Sequence, residues 1–263
     1  MKHPKLFSPI AITPQCILKN RLIKTGQSTW LWNEDGTADG SRGIDLYENI
    51  AKGGAAAVII GGCAMEGTAG IYLRLYDDRF IPGLQELTGR VQAHGCKIFA
   101  QFHHSGPAAW PRLGQLPISS SSLTVDEIPL PPPNGKPCRG LTVSEIHEMQ
   151  EKIVESIVRA DKGGFDGMEV HVAHGYFLNS FVSRVWNRRD DEYGCQNVEN
   201  RTRIVREILA EARKRCRPDF VLGIRMNGRE YGAKNGITIE EAMENAKAFQ
   251  DAGAQFLNVA GYG

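Results

Sequence analysis

The sequence contains six cysteines but no CxxC pair. Iron–sulfur clusters and cysteine-ligated zinc ions usually have at least two cysteine ligands that lie close together in the chain. The spacing therefore argues against either centre within this chain, and we expect no metal site. Free, mostly buried thiols are the simpler interpretation. The six are Cys16, Cys63, Cys96, Cys138, Cys195 and Cys216.

An excess of positive charge is also missing. Lys and Arg number 31 and Asp and Glu number 30, so the formal net charge is +1. Proteins that bind nucleic acid or an anionic membrane surface usually carry a basic patch or stripe. We therefore expect no nucleic-acid or membrane partner, and a small molecule as the substrate.

Long apolar runs are absent as well. No stretch reaches the roughly 18 apolar residues that a membrane-spanning helix needs. The first fifteen residues, MKHPKLFSPIAITPQ, are interrupted by prolines and lack the apolar core of a secretion signal. These absences predict a cytoplasmic protein.

Short apolar runs alternate instead with amphipathic segments, which is typical of a parallel sheet covered by helices. The chain of 263 residues is long for an ordinary domain but typical of one α/β barrel, so we expect one domain over 1–263. A TIM-type (β/α)8 barrel has eight strands, and this sequence predicts about six βα units, which leaves the barrel incomplete at its C-terminal end. The predicted strands lie in 21–26, 56–62, 96–102, 166–172, 220–226 and 255–261.

Two features stand between these runs. A helix is predicted over about 143–162, with capping boxes at Thr142 with Glu145 and, before a later helix, at Thr238 with Glu241. Residues 103–141, rich in Pro, Ser and Gly, form a connection far longer than usual. Long connections in compact domains are often functional, so we predict a lid or binding loop there.

Residues that can bind a flat ligand collect where the predicted strands end, which is where barrel enzymes have their active sites. Glycines permit close approach of a ring, and Gln101 and Arg225 can hydrogen-bond its polar edge. The two imidazoles of EVHVAHGYF could bind a metal, hold an anion or satisfy each other in a core. The collected residues are Thr25, Gly26, Gln27, Gly62, Gln101, His171, His174, Tyr176 and Arg225.

The stretch HVAHGYFLNSFVSRVWNRRDDEYGCQNVENRTR, residues 171–203, resembles the signature of the old yellow enzyme family of FMN-dependent oxidoreductases. The opening HPKLFSPIAI and the later LKNRLIKTG resemble that family's N-terminal part, and the likeness runs through all 263 residues. It is nearest to the 2,4-dienoyl-CoA reductases and enoate reductases. The resemblance implies an ene-reductase that passes hydride from NAD(P)H through FMN to the C=C bond of an α,β-unsaturated carbonyl compound.

The resemblance also implies roles for the collected residues. Thr25, Gly26 and Gln27 would line the flavin, Gly62 would lie beside it, Gln101 would bond its pyrimidine edge, and Arg225 would lie near N1 and O2. His171 and His174 would donate to the substrate carbonyl, and Tyr176 would give the proton to the α-carbon. Gly26 stands where many family members have proline, and Gln27 where many have methionine, so the identity of the alkene substrate is left open.

Other hypotheses remain. If the last two βα units are missing, so is the usual phosphate site of such barrels, and any iron–sulfur cluster or FAD would belong to a further C-terminal region. The chain could then be an inactive or scaffold fragment, or one completed by a second subunit, and a homo-oligomer is conceivable. A zinc-dependent barrel hydrolase would use His103, His104, His171 and His174. A Schiff-base aldolase would use Lys24.

Overall fold

The structure is a computed structural model that describes residues 3–65, 70–109, 115–128 and 136–262. The chain folds into two compact units, each built from several stretches. The first comprises Met1–His103, Glu155–Glu169 and Ala212–Gly223, and the second comprises His104–Val154, Val170–Glu211 and Ile224–Gly263. Whether 1–263 acts as one domain stays a prediction.

Six strands form one sheet in the order β10-β9-β8-β5-β4-β3. They match the six predicted apolar runs, and they confirm a parallel α/β fold. The strands described are β1 (Ile10–Thr13), β2 (Cys16–Leu18), β3 (Ile23–Lys24), β4 (Ala57–Ala64), β5 (Lys97–His103), β6 (Ile118–Ser119), β7 (Arg139–Gly140), β8 (Gly167–Val172), β9 (Val221–Glu230) and β10 (Phe256–Tyr262).

The helices are α1 (Arg42–Lys52), α2 (Ile81–Gln92), α3 (Val143–Lys162), α4 (Phe177–Val182), α5 (Val198–Arg215) and α6 (Ile239–Asp251). Both predicted capping boxes are present, since Thr142 N–H donates to Glu145 at 2.8 Å and Thr238 caps α6 in the same way. Within the described residues no helix has the length and apolarity to cross a membrane.

Every residue of β4 and β8 is buried. This is typical of parallel strands that are covered on both faces, and it explains their nearly continuous apolar runs. The polar exceptions on β8 are Glu169 and His171, which are 0% and 6% exposed. The cysteines are free and five of the six are buried, as predicted.

The long connection 103–141 is only partly described, because 110–114 and 129–135 lie outside the described residues. Its described part contains the short strands β6 and β7, which pair in parallel. Ser120 is buried, and it donates two hydrogen bonds to Ser180, from its backbone N–H at 3.0 Å and from its hydroxyl at 2.6 Å. This stretch is therefore fastened to α4, and a lid function stays a prediction.

Three details were not predicted. β1 and β2 form an antiparallel pair near the N-terminus, and the β6–β7 pair is too short to give a sequence period. The left-handed glycine after α3 is Gly164, with φ +83°. The preceding Gly163 still bonds back to Arg159, which extends the helical hydrogen bonding.

His104 makes the stability of the second unit sensitive to acid. Burial lowers its pKa from 6.5 to about 4. The folded state therefore binds fewer protons than the unfolded chain between these pH values, and stability falls as the pH drops below 6.5. We expect a loss of about 2 to 3 kcal/mol from this histidine between pH 7 and pH 4.5.

The test compares the wild-type protein with His104→Asn by urea unfolding at both pH values. The Nδ1 atom of His104 accepts the Gly106 N–H at 3.0 Å, and an asparagine can keep this acceptor but cannot be protonated. His104→Asn should lose less stability in acid than the wild type. The exposed-site control His3→Asn should lose as much stability as the wild type. Equal acid losses in all three proteins would contradict the assignment.

Candidate active site

The end of β3 packs closely against its neighbours in the first unit. A Cβ atom on Gly26 would lie 2.6 Å from Nε2 of Gln101, and one on Gly61 would lie 2.2 Å from the backbone nitrogen of Gln27. Neither position has room for a side chain. The structure therefore brings Gly26, Gln27 and Gln101 together, and it leaves Thr25 and Gln27 exposed.

A β-bulge lies opposite Gln101. β4 and β5 pair regularly as far as Ile60 and again from Cys63, with one residue more on β4 than on β5. Gly61 and Gly62 thus face Gln101 alone, and Gly62 has φ +72°. Bulges commonly redirect side chains beside active sites. The glycine pair at the end of an apolar run is the sequence signal for this bulge, whereas Gly62 was predicted above only as a flavin neighbour.

Gln101 is held by a buried carboxylate. Its Nε2 atom donates to Oε1 of Glu169 at 2.6 Å, and the two residues are 5% and 0% exposed. Since an ionised carboxylate only accepts hydrogen bonds, the amide nitrogen must face Glu169. Glu169 therefore determines how the Gln101 amide is turned. Nothing local in the sequence marks Glu169 for this role, because it lies 68 positions from Gln101.

His171, His174 and Tyr176 form a compact histidine–tyrosine cluster in the second unit. The ring centroids of the two histidines are 5.0 Å apart, and the Tyr176 ring lies 5.2 Å from His171 and 6.2 Å from His174. All three contacts are edge-to-face. The structure thus brings together the three residues that were predicted to contact substrate.

The hydrogen bonds of this cluster assign the protons of its imidazoles. The backbone N–H of Ala173 donates to Nδ1 of His171 at 3.2 Å, so the proton of a neutral His171 is on Nε2. That Nε2 atom lies 3.2 Å from Nδ1 of His174, which places the second proton on Nε2 of His174. For both rings to donate to one substrate oxygen, the contact between them must open.

His174 is held in its neutral form. Burial lowers its pKa below 6.5, and the positive charge of Arg225 lowers it further. A neutral imidazole at pH 7 donates a hydrogen bond without delivering a proton. This arrangement suits a residue that polarises a carbonyl group.

Arg225 has a donor without a partner. The residue is half-buried on β9, and its Nε atom is buried and makes no hydrogen bond. A buried N–H without an acceptor is costly, and in native proteins such a group often serves a ligand. The side chain therefore fits the nitrogen or oxygen atoms of a bound group.

The geometry gives little support to the zinc hydrolase or to the Schiff-base aldolase. Among residues 3–65, 70–109, 115–128 and 136–262, no three His, Cys, Asp or Glu side chains lie together as metal ligands would. Burial lowers the pKa of Lys24, as a Schiff-base lysine requires. Its ammonium group, however, donates to the carbonyl of its own neighbour Thr25 at 2.6 Å.

A profile of the NADH:flavin oxidoreductase / NADH oxidase family matches residues 5–261. The chain belongs to this family. Over 98% of its length it is 35% identical to an NADH oxidase of Thermoanaerobacter brockii, of which it covers 39%. Over 99% of its length it is 32% identical to a cinnamate reductase of Clostridium sporogenes, of which it covers 40%.

The fold of the family is confirmed by a solved structure. The old yellow enzyme homologue from Zymomonas mobilis superposes with a TM-score of 0.81 and 23% identity, over 97% of this chain and 73% of that one. The family match confirms the resemblance to the old yellow enzyme family, and the superposition confirms the TIM-barrel type of the fold. The chain spans about two fifths of the length of the two curated relatives named above.

Proposed function

We propose that this NADH:flavin oxidoreductase family member binds FMN and acts as an ene-reductase, using NAD(P)H to reduce the C=C bond of an α,β-unsaturated carbonyl compound. The observation that carries the proposal is the histidine–tyrosine cluster, in which two imidazoles and a phenol lie together. One relative is named a cinnamate reductase, and cinnamate carries a C=C bond conjugated to a carboxylate.

The residues of the chain fit an isoalloxazine ring. In the first unit, Gly26 lets the Gln101 side chain lie directly against the end of β3, and Gln101 offers hydrogen-bonding atoms there; Gly62, opposite Gln101, also has no side chain of its own. In the second unit, Arg225 offers a buried donor without a partner. We propose that these four residues, with the backbone of Thr25 and Gln27, bind FMN. When bound, FMN would supply hydride chemistry, with NAD(P)H as the reductant.

The imidazoles would hold the substrate. His171 and His174 would donate their Nε2 protons to the carbonyl oxygen, where negative charge develops during reduction. They would stabilise that charge once the contact between the two rings has opened. The lowered pKa of His174 keeps it a neutral donor at pH 7.

Tyr176 would supply the proton that the α-carbon needs. A phenol has a proton to donate at neutral pH, and Tyr176 lies at the start of α4, half-buried beside both imidazoles. The edge-to-face packing on His171 restricts its ring. We therefore propose Tyr176 as the general acid.

The alternative proposal is an inactive or scaffold fragment of such an enzyme. An inactive fragment would not retain FMN, whereas an ene-reductase would. Flavin binding therefore distinguishes the two functions.

The deciding experiment uses purified protein incubated with FMN. The ene-reductase proposal expects a yellow protein whose flavin absorbance is bleached by NADH or NADPH without oxygen and restored by 2-cyclohexenone. A colourless protein that takes up no FMN would support the inactive fragment. A stoichiometric zinc content in metal analysis would support the hydrolase instead.

Replacing both imidazoles should abolish tight ligand binding without removing the flavin. We expect His171→Ala combined with His174→Ala to weaken binding of p-hydroxybenzaldehyde by about tenfold to hundredfold, which corresponds to two lost hydrogen bonds. Titration of the FMN-loaded protein measures this, and the flavin Kd is the control. A ligand affinity equal to that of the wild type would show that the histidines have another role.

A further inference from the structure

The backbone at the histidine–tyrosine cluster has an unfavourable conformation. His174 has φ +63° and Gly175 has φ +70°, so two successive residues are left-handed. A histidine in this region costs on the order of 1 kcal/mol, and such a conformation persists only where the surroundings hold it. The turn also determines where the ring of His174 points.

Two asparagines from different elements hold this turn. The backbone N–H of His174 donates to Oδ1 of Asn227 on β9 at 3.2 Å. The backbone N–H of Gly175 donates to Oδ1 of Asn179 on α4 at 2.8 Å. Both asparagines are buried, with 1% and 0% exposure. Each amide proton of the left-handed turn thus has its own side-chain acceptor.

Both asparagines are in turn oriented by one carboxylate. The Nδ2 atoms of Asn227 and Asn179 donate to Oε1 of Glu230, at 2.9 and 3.2 Å. The other oxygen, Oε2, accepts from Ser183 Oγ at 2.6 Å and from the Ile237 N–H at 3.0 Å. Glu230 is 7% exposed.

The direction of these bonds is determined by chemistry. A carboxylate only accepts hydrogen bonds, so both asparagines must turn their NH2 groups toward Glu230. Their carbonyl oxygens then face the turn, where backbone N–H groups need acceptors. A buried network in which these donors meet acceptors is rigid and fits a single arrangement.

We propose that Asn179, Asn227 and Glu230 form a positioning network that holds His174 and Gly175 in the left-handed turn and so aims the His174 ring at the ligand oxygen. The part that concerns the ligand rests on the proposed function. The part that concerns the turn does not, and it can be tested without flavin.

The first arm of the test measures amide hydrogen exchange in the full chain. Asn227→Ala should speed exchange at His174 about tenfold with little effect at Gly175, and Asn179→Ala should do the reverse, since one hydrogen bond is worth about 1 kcal/mol. Glu230→Gln should speed exchange at both amides. The NH2 group of the new glutamine would face hydrogen-bond donors, so the network that orients the two asparagines would be disturbed. Asn245→Ala is the matched control, since it removes a buried asparagine that accepts from Arg201 in the same unit.

The same variants are examined by nitrogen NMR of the imidazoles. Glu230→Gln should shift the His171 and His174 signals away from the Nε2–H pattern, while Asn245→Ala should not. If all four variants change exchange at the two amides equally and leave the imidazole signals unmoved, the proposal is wrong. If Glu230→Gln does not fold, the two asparagine variants still test whether the network holds the turn.

The second arm uses p-hydroxybenzaldehyde titration of the FMN-loaded protein. Asn227→Ala should raise its Kd about tenfold without changing the Kd of FMN, as one misplaced hydrogen bond would. An unchanged Kd for p-hydroxybenzaldehyde would overturn the link to the ligand. If the wild-type protein binds no phenol, the proposed function fails, and the exchange arm alone decides whether the network holds the turn.

Discussion

Tyr176→Phe is expected to slow reoxidation of the reduced flavin by 2-cyclohexenone by about 10²-fold or more, the usual contribution of a positioned general acid. Reduction of the flavin by NADH should keep its rate, because the phenol gives its proton only to the alkene. Phenylalanine preserves the edge-to-face packing on His171, whose ring lies 5.2 Å away, so folding should be unaffected.

Anaerobic stopped-flow measurement separates the two half-reactions. Tyr231→Phe is the control, because Tyr231 belongs to the same unit but is 55% exposed and packs against Arg229. Equal slowing of both half-reactions in Tyr176→Phe would point to a displaced flavin rather than a lost proton. In that case Tyr176 would not be the general acid.

Gly106→Ala is expected to destabilise the protein by about 3 to 5 kcal/mol, or to prevent folding, because it combines backbone strain with a collision. Gly106 has φ +56°, and a Cβ atom there would lie 2.5 Å from both the Cα and the backbone nitrogen of Phe177. Backbone atoms cannot move aside as a flexible side chain can. The residue before Phe177 is Tyr176, so any adjustment would displace the proposed acid.

Gly95→Ala separates the two contributions. Gly95 has φ +63°, but a Cβ atom there would have no neighbour within 4 Å. This variant should lose about 1 kcal/mol, which is the cost of the left-handed backbone alone. Urea unfolding measures both variants. Similar losses of unfolding free energy in the two variants would show that the backbone at Phe177 moves aside at little cost. The close approach of Gly106 to Phe177 would then contribute nothing to the loss.

The coarse fold could be predicted because its signals are local. Each of the six sheet strands is an apolar run of a few residues, and the capping boxes of α3 and α6 lie within four consecutive residues. The predicted catalytic residues His171, His174 and Tyr176 come together because they are near in sequence. The same signals did not predict the β1–β2 pair, which lies outside the alternation of strand and helix.

The supporting contacts could not be predicted because they join distant residues. Gln101 and Glu169 are 68 positions apart, and Asn179 and Glu230 are 51 apart. In the sequence, a buried glutamate that orients an amide cannot be distinguished from one that binds a metal or pairs with an arginine. Only its neighbours in space distinguish these roles.

The amino-acid sequence by itself determined the six strands of the main sheet, the helices between them and the kinds of side chain at the strand ends, since apolar periodicity and capping act over a few residues. The tertiary structure alone decided how those side chains are held. It placed two glycines opposite Gln101, turned that amide toward Glu169, and linked the turn at His174 to Glu230. Hydrogen-bond direction in a buried site depends on which donors and acceptors meet, and folding brings them together from remote parts of the chain.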